Sequence, residues 1–104
     1  MDESIVRRAA EDHGKALVQG DLKRAGSAWY AWNDDVKQMA GAIMPMMPNP
    51  VSGAEVIEVR RDGEQFVVTT LYSGQDKKTT VESRWEEREG SAKMVAANVS
   101  SVEE

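Results

Sequence analysis

The chain has 104 residues, enough for one domain and too few for two, since domains usually contain about 100–150 residues. Its net charge of -5 repels a phosphate backbone, so nucleic acid is not an expected partner. The absence of cysteine and the single histidine exclude disulfides, thiol catalysis and clustered metal ligands. No stretch approaches the roughly 20 apolar residues of a membrane span, and the acidic start is unlike a signal peptide. We expect a cytoplasmic protein without metal, cofactor or membrane contact.

Before Pro45 the sequence has the periodicity of helices. From Ser4 to Val18 the apolar residues recur every three or four positions and form one stripe. The members of this stripe are Ile5, Val6, Ala9, Ala10, Ala16 and Leu17. Gly20 and Asp21 then predict a tight corner, because glycine takes the left-handed conformation that ends helices and aspartate is a good N-cap.

The helical period continues from Leu22 to Ile43. Its apolar positions are Leu22, Ala25, Trp29, Trp32, Val36, Met39 and Ile43. A single helix from Asp21 to Met44 would be about 36 Å long, whereas a domain of this size has a radius of gyration of about 13 Å. We therefore favour a break at Asn33, a capping residue followed by two aspartates, within a helical region over about residues 4–44.

After Pro45 the pattern changes to that of strands. Three prolines exclude regular structure in the loop over residues 45–53. Four β-rich runs follow: Ala54 to Arg61, Glu64 to Ser73, Lys78 to Arg88 and Ala92 to Val102. The short links between them, including the hairpin signal Asp62-Gly63, force antiparallel neighbours. We predict a single α+β domain over residues 1–104, with two or three helices packed on a curved four-stranded antiparallel meander.

Alternation along the strands predicts which faces of the sheet are covered. On the third strand Val81, Ser83 and Trp85 point to one face and charged residues to the other. The second and fourth strands carry apolar residues on both faces. On the second strand, one face carries Phe66, Val68 and Tyr72, and the other carries Val67, Thr69 and Leu71. On the fourth strand, one face carries Met94, Ala96 and Val102, and the other carries Val95, Ala97 and Val99. Because the helices cover only one face, we expect a homodimer through the other; the alternative is a curled sheet that covers itself.

An amphipathic first helix ends in the run Ala16-Leu17-Val18-Gln19-Gly20-Asp21-Leu22. A second helix, a break and a curved sheet follow, and the sheet ends with Trp85 and Lys93-Met94-Val95. From about Ile5 to Val102 the chain thus resembles the nuclear transport factor 2-like superfamily, which includes ketosteroid isomerases and scytalone dehydratase. The resemblance implies a cystatin-like cone with a blind pocket between helices and sheet. The short strand pair of larger members is missing here, so we expect a trimmed version.

His13 lies on the apolar stripe of the first helix, four residues after Ala9. In ketosteroid isomerases a tyrosine that hydrogen-bonds the substrate lies seven residues before the glycine of the same corner, and His13 holds that position relative to Gly20. The resemblance therefore makes His13 the candidate catalytic residue, since an imidazole can act as donor, acid or base. The other interpretation is a core histidine bonded to a carbonyl or a tyrosine.

The aromatic residues predict a pocket for an apolar or aromatic small molecule. The candidate ligand-binding residues are Trp29, Trp32, Phe66, Tyr72, Ser83 and Trp85. The leading functional prediction is a small pocket protein of the nuclear transport factor 2-like kind without established catalysis. One alternative is an isomerase or dehydratase centred on His13. The other is a dimeric interaction module with a filled cone.

Overall fold

In the computed structural model, which describes residues 1–104, three α-helices precede a four-stranded antiparallel sheet. The helices are α1 (Glu3–Gln19), α2 (Leu22–Gly26) and α3 (Asp34–Ile43), with a 3₁₀ helix over Met44–Met46. The strands are β1 (Gly53–Asp62), β2 (Gln65–Ser73), β3 (Lys78–Arg88) and β4 (Ser91–Glu103), paired in chain order. The predicted α+β fold with an antiparallel meander is confirmed. No helix is both long and apolar enough to cross a lipid bilayer.

Short polar side chains begin all three α-helices. Asp2, Asp21 and Asn33 each accept the backbone N–H of the residue three positions later, which satisfies a donor that a helix start leaves free. Gly20 ends α1 in the left-handed conformation, with φ 73°. The predicted corner at Gly20-Asp21 and the predicted break at Asn33 are therefore both confirmed.

Residues 27–33 are not helical, which corrects the prediction of helix up to the break at Asn33. The backbone here pairs with β4 instead: the Met94 N–H donates to the Ala28 carbonyl over 2.8 Å, and the Tyr30 N–H donates to the Met94 carbonyl over 3.0 Å. These bonds use the groups that a helix would have paired internally. As a result Trp29 is buried, at 8% exposed, while Trp32, predicted on the same core stripe, is 57% exposed.

Two β-bulges in β4 make its predicted alternation wrong. The register places Met94 and Ala97 opposite Trp85 and Ser83, so both face the helices, and Ala96 faces outward. Each bulge adds one unpaired residue and shifts the side-chain parity of everything after it. The inner face of β4 therefore carries Met94, Ala97, Val99 and Val102. Its apolar residues mostly gather on one face of the sheet, instead of dividing between two.

The core lies between the helices and the inner face of the sheet. Its main cluster consists of Val6, Ala10, Trp29, Val36, Val59, Phe66, Val68, Trp85 and Met94. A second cluster of Met47, Tyr72 and Val81 lies nearer the proline-containing loop. Ile5, predicted on the buried stripe of α1, is instead half exposed. All helices therefore cover the same face, and a cavity borders residues of both clusters.

Candidate functional site

A cavity of about 290 Å³ lies between the helices and the inner face of β2, β3 and β4. Thirteen of its 17 lining residues are hydrophobic. The lining comprises His13, Leu17, Leu22, Ala25, Gly26, Trp29, Trp32, Ala40, Ile43, Met44, Met47, Thr70, Tyr72, Val81, Ser83, Met94 and Ala97. A concave, mostly apolar space with a few polar groups is the usual form of a small-molecule site.

Pairing between the segment after α2 and the edge of β4 positions the aromatic wall of the cavity. The two backbone hydrogen bonds around Met94 fix Ala28 and Tyr30, so the Trp29 ring between them packs inward with Met94. Leu22, Trp32 and Met44 also line the cavity, and all three are more than half exposed to solvent. They form an apolar mouth that opens the cavity to solvent on one side.

His13 reaches the cavity from α1. Its ring lies edge-on to Trp85, with 6.4 Å between the ring centroids and 75° between their planes. The Nδ1 atom is covered by protein and has no hydrogen-bond partner. Burial lowers the pKa of His13 below its ordinary value of 6.5, while a backbone group of Ala25 acts in the opposite direction. The imidazole is therefore neutral at pH 7.

Three hydroxyl groups supply the other polar atoms of the lining, from Thr70, Tyr72 and Ser83. The Ser83 hydroxyl accepts a hydrogen bond of 2.8 Å from the Trp85 indole Nε1. Burial raises the pKa of Tyr72, which keeps its phenol protonated. The Tyr72 hydroxyl forms no hydrogen bond within the protein. It is nevertheless accessible, because the only side-chain polar atom that is both covered and unpaired is His13 Nδ1.

The structure brings five of the predicted site residues together around the cavity: His13, Trp29, Trp32, Tyr72 and Ser83. Two others, Phe66 and Trp85, do not line it and are 3% and 1% exposed. They share the predicted inner face, but they are enclosed in the main core cluster, which also contains Val6 and Ala10 of α1. Their placement among the ligand-binding residues is corrected to the hydrophobic core behind the site.

Several lining residues were not predicted. Thr70 shares the inner face of β2 with Tyr72, so strand alternation would have identified it. Ala97 was assigned to the face opposite Met94, and only the bulge brings the two together. The contribution of α3, from Ala40 to Met44, depends on how that helix crosses the sheet, which no local pattern encodes.

The chemistry of the lining limits what the cavity can hold. It contains no Asp, Glu, Lys or Arg, and nowhere in the protein do three or more His, Cys, Asp or Glu residues form a metal-binding group. The cavity offers apolar surface, neutral hydroxyls and a neutral imidazole. It has no cluster of acids and no fixed positive charge for a phosphate.

No protein-family model matches the chain, and no curated protein sequence matches it significantly.

Proposed function

We propose that this protein binds an apolar or aromatic small molecule in the cavity between its helices and its sheet. The observation that carries the proposal is the cavity of about 290 Å³ with 13 hydrophobic residues among its 17 lining residues. Its exposed mouth, formed by Leu22, Trp32 and Met44, gives a ligand access from solvent. Transfer of the apolar surface of such a ligand out of water favours binding by about 25 cal/mol per Å² before entropic costs.

We further propose that the chain is a trimmed member of the nuclear transport factor 2-like superfamily. The order of elements supports this, with helices first, a capped corner at Gly20-Asp21 and a four-stranded meander last. The cavity on the helix-covered face agrees with the expected cone. Because one fold hosts unrelated chemistries, membership favours a pocket and leaves the reaction open.

An acid–base enzyme centred on His13 is the second candidate. His13 borders the cavity, and a neutral imidazole can act as an acid or a base, but its Nδ1 is covered by protein. The same lining contains no carboxylate, so a base and an acid of the isomerase kind are missing. Binding without catalysis therefore has the stronger support.

The homodimer through the outer sheet face is a separate proposal. Val67 on that face is buried even in the monomer, at 1% exposed, and its partners in the register are Arg60 and Arg84. The outer face therefore exposes less apolar surface than the sequence predicts. Sedimentation of wild type and Leu71→Asp tests it, because a dimer through this face should dissociate in the variant. A filled-cone interaction module has little support beside a cavity of this size. The cytoplasmic location stays a prediction.

The binding proposal is tested by thermal unfolding with naphthalene as the probe. A ligand at ten times its Kd stabilises the native state by about 1.4 kcal/mol, a rise in Tm of about 5–10 °C for a domain of this size. Ala97→Leu should reduce the rise, because the added side chain occupies part of the cavity. Ala96→Leu, one residue away on the outer face, should keep it.

Either of two results would refute cavity binding. The first is an unchanged Tm of the wild type with naphthalene and with other one- and two-ring hydrocarbons. The second is an equal rise in Ala97→Leu and Ala96→Leu, which places the probe elsewhere. Circular dichroism of both variants without ligand confirms that each is folded before the comparison.

A further inference from the structure

The cavity lining is polar at a few points but carries no formal charge. Of its residues only His13 and Tyr72 titrate, and burial shifts each towards its neutral form. An ionised ligand would lose its hydration in this space without meeting a counter-ion, which is among the most costly events in a protein interior. The lining therefore selects an uncharged ligand.

The size of the cavity sets the size of that ligand. A cavity of about 150 Å³ lined by apolar side chains holds one benzene molecule. The cavity here, at about 290 Å³, is roughly twice as large. Two fused rings, or an aliphatic body of similar bulk, would fill it and leave the exposed mouth to cover the outer edge.

The Tyr72 hydroxyl is the polar group best placed to orient the ligand. The Tyr72 residue is 4% exposed and lines the cavity, and its hydroxyl, which forms no hydrogen bond within the protein, stays accessible. Thr70 presents a second hydroxyl two residues earlier on the same face of β2. A phenol both donates and accepts a hydrogen bond, and a purely apolar ligand that covered this hydroxyl would leave it unpaired at a cost. A ligand oxygen that reaches Tyr72 would satisfy it.

We propose, building on the proposed function, that the ligand is an uncharged molecule of about two rings with one hydroxyl or carbonyl oxygen that hydrogen-bonds to Tyr72. Its apolar body contacts Trp29, Ile43 and Met44, and its oxygen lies towards β2. Carboxylate and ammonium analogues of the same shape are excluded by the uncharged lining.

Calorimetric titration with three matched probes at pH 7.5 tests this ligand class. The probes are naphthalene, 2-naphthol and 2-naphthoate. We expect 2-naphthol to bind about three- to tenfold more tightly than naphthalene, the gain of one net hydrogen bond. We expect 2-naphthoate to bind at least about 100-fold more weakly than 2-naphthol, because its carboxylate would be buried unpaired.

Two tyrosine variants assign the hydrogen bond. Tyr72→Phe should reduce the affinity for 2-naphthol to that for naphthalene and leave naphthalene unchanged. Tyr30→Phe is the matched control, since the Tyr30 hydroxyl accepts from Asn33 outside the cavity, and its affinities should equal those of the wild type.

The outcomes separate this inference from the proposed function. If naphthalene binds but 2-naphthol binds no more tightly, or if 2-naphthoate binds best, the ligand class is wrong and binding in the cavity stands. Equal loss of 2-naphthol affinity in both tyrosine variants would overturn the role of Tyr72. If none of the three probes binds, the proposed function and the ligand class both fall.

Discussion

His13 is half-buried among apolar groups, with its Nδ1 fully covered, and this setting favours the neutral imidazole. The covered Nδ1 without a partner means that protonation would place a charge where no carboxylate lies among the cavity residues. A lowered folded-state pKa is a statement about stability, because the unfolded chain then binds the proton more readily. Since there is one histidine in the chain, its contribution can be measured alone.

Stability should fall as the pH falls below the ordinary histidine pKa of 6.5. The loss reaches at most about 1.4 kcal/mol per pH unit until the folded-state pKa is passed. His13→Met should remove this slope between pH 6.5 and 5.5. Hydrogen bonds from Ser4 to Asp2 and from Gln65 to Glu86 lower the pKa of those carboxyls, so they titrate below this window. Urea unfolding at several pH values measures the free energy of unfolding of both proteins. An equal dependence of this free energy on pH in wild type and variant would contradict the assignment.

The Ser83 hydroxyl and the Trp85 indole form a buried pair that should be coupled energetically. Ser83→Ala leaves the indole N–H, bonded over 2.8 Å in the wild type, without an acceptor, at a cost of about 1–3 kcal/mol. Adding Trp85→Phe removes that donor, so the double variant should be less destabilised than the sum of the singles by about 1 kcal/mol. Urea unfolding of all four proteins measures the coupling. Ser101→Ala, exposed on β4, should change stability by less than about 0.5 kcal/mol.

At the scale of elements, local chemistry predicted the boundaries well. Capping residues and glycines act within one turn of chain, so the start of α3 at Asn33 and the end of α1 at Gly20 follow from neighbouring residues. The same holds for the last hairpin, where Glu89 and Gly90 both have positive φ, as a type I′ turn requires. Strand bounds are each within one residue of their predicted positions.

The wrong predictions for elements arise where pairing with a strand distant in sequence determines the local backbone conformation. Residues 27–33 have the helical period, but the free edge of β4 around Met94 competes for their backbone groups. The bulges in β4 likewise arise from its register with β3, and the alternation of its alanines and valines does not predict them. Local patterns therefore define elements, while pairing between elements determines their exceptions.

Two glycines should respond oppositely to the same substitution. In α1 a Cβ on Gly14 would lie 2.9 Å from the Cβ of Ala54, whereas one on Gly41 in α3 meets nothing within 4 Å. Gly41→Ala should stabilise the protein by about 0.5–1 kcal/mol through helix propensity. Gly14→Ala should destabilise it by about 1 kcal/mol, because α1 must move away from β1.

A compensating change distinguishes the contact from other effects. In the Ala54→Gly background the opposing methyl is gone, so adding Gly14→Ala should become stabilising. Chemical denaturation of the single and double variants gives the four free energies of unfolding. If Gly14→Ala is as stabilising as Gly41→Ala in the wild-type background, the close approach of α1 to β1 is absent in solution.

At the scale of the whole molecule, the cavity is a product of packing that no single element contains. Alternation placed Tyr72 and Ser83 on the covered face, and the helical stripe placed His13 and Trp29 there, so these parts of the site could be predicted. Phe66 and Trp85 have the same pattern but are enclosed. Which inward residues border the space depends on where α1 and α3 cross the sheet.

The most direct test of cavity binding uses the indole N–H resonances of the three tryptophans, assigned with single Trp→Phe variants of ¹⁵N-labelled protein. Trp29 and Trp32 line the cavity, and Trp85 lies behind it, bonded to Ser83. On titration with naphthalene, the signals of Trp29 and Trp32 should shift together with one Kd, and that of Trp85 should move less. A shift confined to Trp85, or three signals that stay in place at saturating naphthalene, would contradict the account.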